Sequence, residues 1–465
     1  MCTQPGEVIS LPILADAADI GAQAAALFDL ALTPTGFALI AIGLLVVCSL
    51  LVTRFGTEII GATCIFLLSM MRLDSKFVDN TLVQPLQAIR DYSRPISLAL
   101  ILLLAMRALA FQRGERLKLL SVPCVIFFGF ETYFLLMVGM FADLPRAIFG
   151  WVSIFAILIA YVLGLGRLLQ PNQTGRAYVR MFLWAGIAFV AANMFQLTLG
   201  YSNAILKGRM AGISGNPQQF SATCCVFTIF FSYLFATTRG GSPLKWLGAS
   251  MIGVMALFVL WSGSRTGALC FTVCLVAYFR TRVGRLAVLV LSVGVVLGLL
   301  TSLFSESTVG TDRFLYGSDT RTAVWLGALD EFVKSPLIGG IPVSGDDGMN
   351  YSESTYLRTL AMLGVFGGLQ LLLVVVTMVG IAWRAWQIGR YRSDLAPIAD
   401  VVVASTAFTL VVNIFEGFMF GILTYFIIHM YATFAMATYV ADAGESNERV
   451  DPLAAEMKVT DGSAG

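Results

Sequence analysis

Apolar runs of about 16 to 28 residues recur along nearly the whole chain, separated by breaks rich in arginine, glycine and proline. A helix needs roughly 20 apolar residues to cross the ~30 Å hydrocarbon core of a bilayer, so most of these runs suffice for one crossing. They predict about thirteen membrane helices, near residues 36–53, 56–71, 95–111, 119–140, 146–166, 179–199, 219–238, 244–261, 265–280, 284–303, 356–383, 397–415 and 417–440. The chain is 58% hydrophobic and 12% charged, against roughly 25% charged in soluble proteins. The expected fold is therefore an all-α polytopic membrane protein with about 12–14 transmembrane helices. Its parts are an N-terminal lead (1–35), a bundle of about ten helices (36–303) with short loops at 200–218 and 261–265, a long polar loop (304–355), C-terminal membrane helices (356–440) and a tail (441–465). The tail is polar and rich in small residues, which predicts disorder.

Lysine and arginine set the expected orientation. One alternating set of loops carries Arg54, then Arg107, Arg113, Arg116 and Lys118, then Arg167, Arg176 and Arg180. It continues with Arg239 and Lys245, Arg280, Arg282 and Arg285, Arg384, Arg390 and Arg392, and the tail's Arg449 and Lys458. That is the majority of the 30 basic residues. The positive-inside rule puts this set in the cytoplasm, with 200–218, the Arg265 turn and the 304–355 loop outside. Arg72, Lys76, Arg90 and Arg94 run against the pattern. No basic residue precedes Arg54, so a cleaved secretory signal is not expected.

Several residue types read as structural. Seven of the 8 cysteines fall inside expected helices, where a small apolar packing role is the simplest reading. Cys270 and Cys274 share a helix face, but further metal ligands are lacking nearby. Asp346-Asp347 fits no defined calcium loop. The lone histidine, His429, lies mid-helix as a packing or hydrogen-bonded residue. A net charge of +2 with scattered basic residues leaves no nucleic-acid footprint.

The chemistry concentrates in the loops of one side. Gly310 to Gly368 is the longest polar interruption, holding Arg313, Arg321 and Glu353 before a long apolar run. In the stretch beginning Lys207-Gly-Arg209, glycines at 208, 212 and 215 and Pro217 shape a compact loop whose amides can face a ligand. Lys207 and Arg209 add charge there, or simply snorkel. Arg265 follows a turn barely long enough to reverse the chain, so its guanidinium lies at the membrane surface, as an anion ligand or as an anchor. Arg321 opens an amphipathic pattern in which Trp325, Leu329 and Phe332 form one stripe. Arginine's planar fork suits a diphosphate; salt bridges to the loop's own acids are the plainer alternative. Glu353, just before a membrane helix, is either a helix cap or a general base.

Taken in order over about 160 residues, these pieces resemble the O-antigen ligase and O-antigen polymerase superfamily of bacterial membrane glycosyltransferases. The matching pieces are R-x-x-G-x-x-x-N-P from Arg209 to Pro217 and S-x-S-R-T-G at Arg265. They continue with T-R-T-x-x-W…S-P-L-I-G-G from Thr320 to Gly340, and E-S-T-Y-L…L-G-V-F-G-G from Glu353 to Gly368. The resemblance implies a C-type glycosyltransferase fold (GT-C), its lipid-accessible groove capped by a long periplasmic loop. It implies a glycan donor on undecaprenyl diphosphate, held by Arg265 and Arg321. Arg209, Lys207, Arg313, Asn216, Tyr356 and Arg358 would line the site, with no metal and no other cofactor. Ligases of the superfamily usually carry a histidine where this chain has Glu353. That difference favours a polymerase of capsule, exopolysaccharide or O-antigen chains, with Glu353 as the base. The implied location is the bacterial inner membrane with the site facing the periplasm. The implied partners are lipid-linked donor and acceptor, the bilayer, a chain-length regulator and a flippase. Two other readings stay open. One is an O-antigen ligase acting on lipid A core or protein. The other is a lipid-linked sugar transporter or flippase, for which Glu131 and Glu416 in or near membrane spans are the relevant features.

Overall fold

The computed structural model describes residues 54–71, 82–110, 121–141, 144–165, 174–206, 208–281, 320–340, 354–419 and 423–448. The expected lead, the spans near 36–53 and 284–303, the end of the tail, and Lys207, Arg313 and Glu353 lie outside these residues. In order, the elements are α1 (Arg54–Met70), a short helix Leu86–Asp91, α2 (Ser93–Ala110), α3 (Val122–Phe141) and α4 (Leu144–Ile157), which continues as a π-helix through Leu158–Gly164. Next come α5 (Thr174–Leu199), one turn at Tyr201–Ala204, a minimal hairpin of β1 (Ile205–Leu206) and β2 (Arg209–Met210), and α6 (Pro217–Thr237). The chain goes on through α7 (Pro243–Ser262), α8 (Arg265–Phe279), α9 (Thr320–Lys334), α10 (Thr355–Tyr391), α11 (Ala396–Phe415) and α12 (Tyr425–Glu448).

Among the described residues, seven helices are long and apolar enough to cross a membrane, and Gly56–Met70 and Arg265–Phe279 are shorter apolar helices. The chain is a multi-pass, all-α membrane protein. Large apolar side chains such as Leu136, Met140, Leu257, Leu260, Leu372 and Val376 are exposed, as suits a hydrocarbon solvent. The interior is aromatic. α6 runs through it with Phe220, Phe227, Phe230 and Phe231 all buried, and Phe230 stacks on Phe182 of α5 with ring centroids 4.3 Å apart. His429 joins this packing: its Nε2 is 3.1 Å from Ser405 Oγ, and Phe182, Phe230 and Phe408 meet it edge-on. The described cysteines are buried and unbridged.

Two helices depart from the hydropathy pattern. α12 starts at Tyr425 rather than 417, because Asn413 Oδ1 accepts the Met419 amide (3.1 Å) and turns the apolar stretch after α11 into a loop. α12 then runs on through 441–448, which composition had assigned to a disordered tail. Its extension is held against the end of α10 by the Arg384–Glu445 ion pair, by Arg392 donating to the Ala443 carbonyl, and by Gly444 lying close to Ile388. α10 is broken at Gly364, which has φ 60° and ψ −157°.

The contacts sort the loops onto two faces. On one, Arg180 makes a two-pronged ion pair with Glu58 (2.7 and 2.6 Å), Arg280 meets Asp400 (3.1 Å), and Arg107 donates to Thr57. On the other, Gln219 Nε2 donates to the Met71 carbonyl (2.6 Å), Ser214 Oγ to the Ser69 carbonyl (3.0 Å), and the Val83 amide to Gln196 Oε1 (3.0 Å). The second face carries the Arg209 loop.

Candidate functional site

On that second face the 200–216 segment is shaped by three left-handed glycines. Gly208 (φ 75°) turns the hairpin, Gly212 (φ 52°) approaches Asn193 and the Phe220 ring too closely for a Cβ, and Gly215 (φ 71°) precedes α6. Asn193 Oδ1 accepts the Ile213 amide at 3.0 Å, pinning the loop to α5. Asn216 caps α6: its Oδ1 accepts the amides of Gln218 (2.8 Å) and Gln219 (3.5 Å), and Pro217 opens the helix. The side-chain oxygen of this expected substrate ligand therefore already serves the backbone.

The turn from α7 to α8 is equally compact. Gly263 (φ 59°) ends α7, and Ser264 Oγ accepts the Gly267 amide at 3.0 Å, capping α8 one residue before Arg265. Gly267 lets α8 close on α6, since a Cβ there would sit 2.4 Å from Ser221. Arg265 thus stands in the first turn of α8 with its side chain exposed. Arg209 reaches across and donates from Nε to the Ser262 carbonyl at 2.7 Å. The structure brings together two of the predicted arginine loops in this way.

The third piece is the start of α10. Ser354 caps it, accepting the Leu357 amide at 3.5 Å. Thr355 Oγ1 donates to Asn413 Oδ1 (2.5 Å) or the Glu416 carbonyl (3.0 Å), and the Thr355 amide donates to that same carbonyl (3.2 Å). Tyr356 donates its hydroxyl to the Leu410 carbonyl at 3.1 Å. Arg358 is half-buried, with Nε 3.3 Å from Met362 Sδ. α11 packs against both α8 and α10.

α9 forms where the amphipathic pattern predicted it. Arg321 stands in its first turn; its side chain lies outside the described residues. Ala328 is the buried position, Trp325 and Phe332 are half-buried, and Leu326, Leu329 and Val333 are exposed. The strap 336–340 after α9 enters the break in α10. The Val365 amide donates to the Pro336 carbonyl (2.8 Å), and the Gly340 amide to the Ala361 carbonyl (3.0 Å). Gly339 (φ 83°) and Gly364 face each other's backbones so closely that a Cβ would lie 2.3 Å from the Met362 carbonyl carbon or 2.5 Å from that of Leu337. The two Gly-containing motifs are the two halves of one clasp.

Two further arginines lie on this face that sequence reasoning had counted only as exceptions to the charge rule. Arg90 is buried and donates to Gln87 Oε1 (2.7 Å), and Arg94 Nε lies 2.9 Å from Met71 Sδ. Their departure from the positive-inside pattern was the available signal. Among the described residues, no three of His, Cys, Asp and Glu are grouped so as to hold a metal ion. Chemically, the face offers arginine side chains beside the capped N-termini of α6, α8 and α10, whose dipoles favour negative charge. No protein-family model matches the chain, and no curated protein matches it.

Proposed function

We propose that this chain is a membrane glycosyltransferase that polymerises oligosaccharide repeat units carried on undecaprenyl diphosphate. The product is an exopolysaccharide, capsule or O-antigen chain, made at the periplasmic face of a bacterial inner membrane within a GT-C-like fold. The observation that carries the reading is the Arg209–Ser262 hydrogen bond, which sets the Arg209 loop beside the S-R-T-G turn. Two motifs resembling one superfamily thereby meet on one surface.

In the proposed reaction an acceptor hydroxyl attacks the anomeric carbon of the donor sugar. The new glycosidic bond forms as the bond from that carbon to the diphosphate oxygen breaks, and the lipid diphosphate leaves with the bonding pair. The hydroxyl proton passes to Glu353, directly before the cap residue Ser354. Arg265 and Arg321 offset the charge that grows on the diphosphate oxygens, an effect strongest where water is scarce. A diphosphate is already a good leaving group, so no strong general acid is required. Single displacement inverts the anomeric configuration.

The test uses purified protein in detergent with a lipid-diphosphate-linked repeat unit, with and without chelator, and product length read on a gel. A ladder from wild type that is lost in Arg265→Ala, Arg321→Ala and Glu353→Gln is the expected result. A ladder that survives Glu353→Gln moves the base elsewhere. A product that keeps the donor's anomeric configuration rules out the single displacement. Transfer only to an added lipid A core or protein acceptor would make the chain a ligase.

A further inference from the structure

α9 presents three sides around its axis. Ala328 is buried and marks the side packed on α10. About a third of a turn away, Leu326, Leu329 and Val333 fall on one stripe at i, i+3 and i+7, and all three are exposed. The remaining side is charged: Lys334 pairs with Asp330 (3.0 Å) and with Glu331 (2.7 Å). A contiguous exposed apolar stripe is costly in water and marks a surface that meets protein or lipid. Three such sides suit a helix lying where protein, hydrocarbon and water meet.

The chain also fixes the level at which this helix sits. The strap 336–340 that follows α9 bonds to residues 361–366 of α10, around the break at Gly364 that ends the half-helix 355–363. From Gly364 to Trp383, α10 runs for about 30 Å at ~1.5 Å per residue, the thickness of the hydrocarbon core. Trp383 is exposed and packs on Trp386, over whose ring Arg390 lies, a grouping that belongs at a membrane–water boundary. The break and the strap therefore mark the opposite boundary. There the Phe366 amide donates to the Leu337 carbonyl (3.5 Å), and Leu337, Ile338 and Phe366 are all exposed. Leu369, Leu372 and Leu373 continue this apolar outer surface along α10. Exposed apolar residues thus run on from α9, through the strap, to a helix that crosses the membrane.

We infer that α9 is an in-plane membrane helix, its Leu326–Leu329–Val333 side immersed between the headgroups and acyl chains of the leaflet at this end of the bundle. The bilayer is the occupant that fits, because the stripe extends the outer surface of α10 while the charged side stays clear of it in water. The same placement holds the first turn of α9, and with it Arg321, at the height of the lipid headgroups. What that height does for a lipid-linked diphosphate rests on the proposed glycosyl transfer; the contact with lipid does not.

The experiment puts a polarity-sensitive fluorophore on single cysteines of the full-length chain, reconstituted in vesicles of phosphatidylethanolamine and phosphatidylglycerol. The background lacks Cys2 and Cys48, and the described cysteines are buried. Leu329→Cys and Val333→Cys read the stripe, Asp330→Cys and Lys334→Cys the charged side, and Leu372→Cys the outer surface of α10. Lipid brominated in the upper acyl chain should quench the stripe labels at least about threefold more than the charged-side labels, and aqueous iodide should do the reverse. Iodide quenching the stripe as strongly as the charged side overturns the inference. Stripe labels shielded from both quenchers, while Leu372→Cys is quenched by the brominated lipid, overturn it equally and put a protein surface there, such as a second copy. If one stripe variant does not reconstitute, Leu326→Cys reads the same side. Glycosyl transfer is measured on the same vesicles. Lipid quenching without a ladder leaves the contact standing and counts against the reaction; a ladder without lipid quenching does the reverse.

Discussion

Arg209 and Ser262 are 53 residues apart in the chain, yet Arg209 Nε lies 2.7 Å from the Ser262 carbonyl oxygen. The bond uses one edge of the guanidinium and fixes its plane beside the helix that begins at Arg265. Arg209→Lys keeps the charge but loses this Nε donor, and should lower the proposed glycosyl transfer by roughly tenfold. Arg209→Ala should lower it further. Initial rates of ladder formation decide it; a lysine variant at wild-type rate would mean that only charge matters here.

The clasp between the strap and α10 should be intolerant of a methyl group. Gly364→Ala places a side chain at positive φ against the Leu337 carbonyl, and should cost about 2–4 kcal/mol. Gly380, where a Cβ meets nothing within 4 Å, is the matched control in the same helix. Gly380→Ala should be neutral or stabilising by up to about 1 kcal/mol. Thermal unfolding in detergent compares them, and equal effects at both sites would count against the clasp.

Arg280 and Asp400 form an ion pair in which Asp400 is almost wholly buried and Arg280 is partly exposed. Asp400→Asn leaves the guanidinium uncompensated and should cost about 1–3 kcal/mol, solvent at the arginine softening the loss. Arg280→Met with Asp400→Leu should regain much of it. A double variant no better than the single one would show that the pair does more than neutralise charge.

Orientation can be read by labelling single cysteines in intact cells with a membrane-impermeant maleimide. The described cysteines are buried, so a background lacking Cys2 and Cys48 should be silent. Tyr201→Cys, on the Arg209 face, should label from outside, and Gly240→Cys only after permeabilisation. The opposite pattern would turn the protein over and rule out the proposed periplasmic site.

The bundle was legible in the sequence because one solvent imposes one rule: α3, α5, α6, α7 and α11 are uninterrupted apolar runs, and each folds close to where its run lies. Hydropathy could not show the break at Gly364, since the residues on both sides are equally apolar and the break depends on a strap that arrives from elsewhere in the chain. The late start of α12 was hidden for the same reason, because it turns on a single Asn413 side chain. For the candidate site, the residue types and their loops could be read, but not which loops touch. Arg209 meeting Ser262 and the strap 336–340 entering the break in α10 are tertiary pairings that spacing does not encode.

The clasp also determines where this chain can change. Gly340 and Ser354, which flank residues 341–353, belong to the same half-helix assembly: the Gly340 amide donates to the Ala361 carbonyl, and Ser354 caps the helix that contains Ala361. Lengthening a segment whose ends are already held together adds little further entropic cost, roughly 0.6 kcal/mol for each doubling. Insertions before Glu353, which spare that residue, are expected to leave α9, the strap and α10 in register. The two held ends thus make chain length between them a property that can vary while the membrane scaffold stays the same.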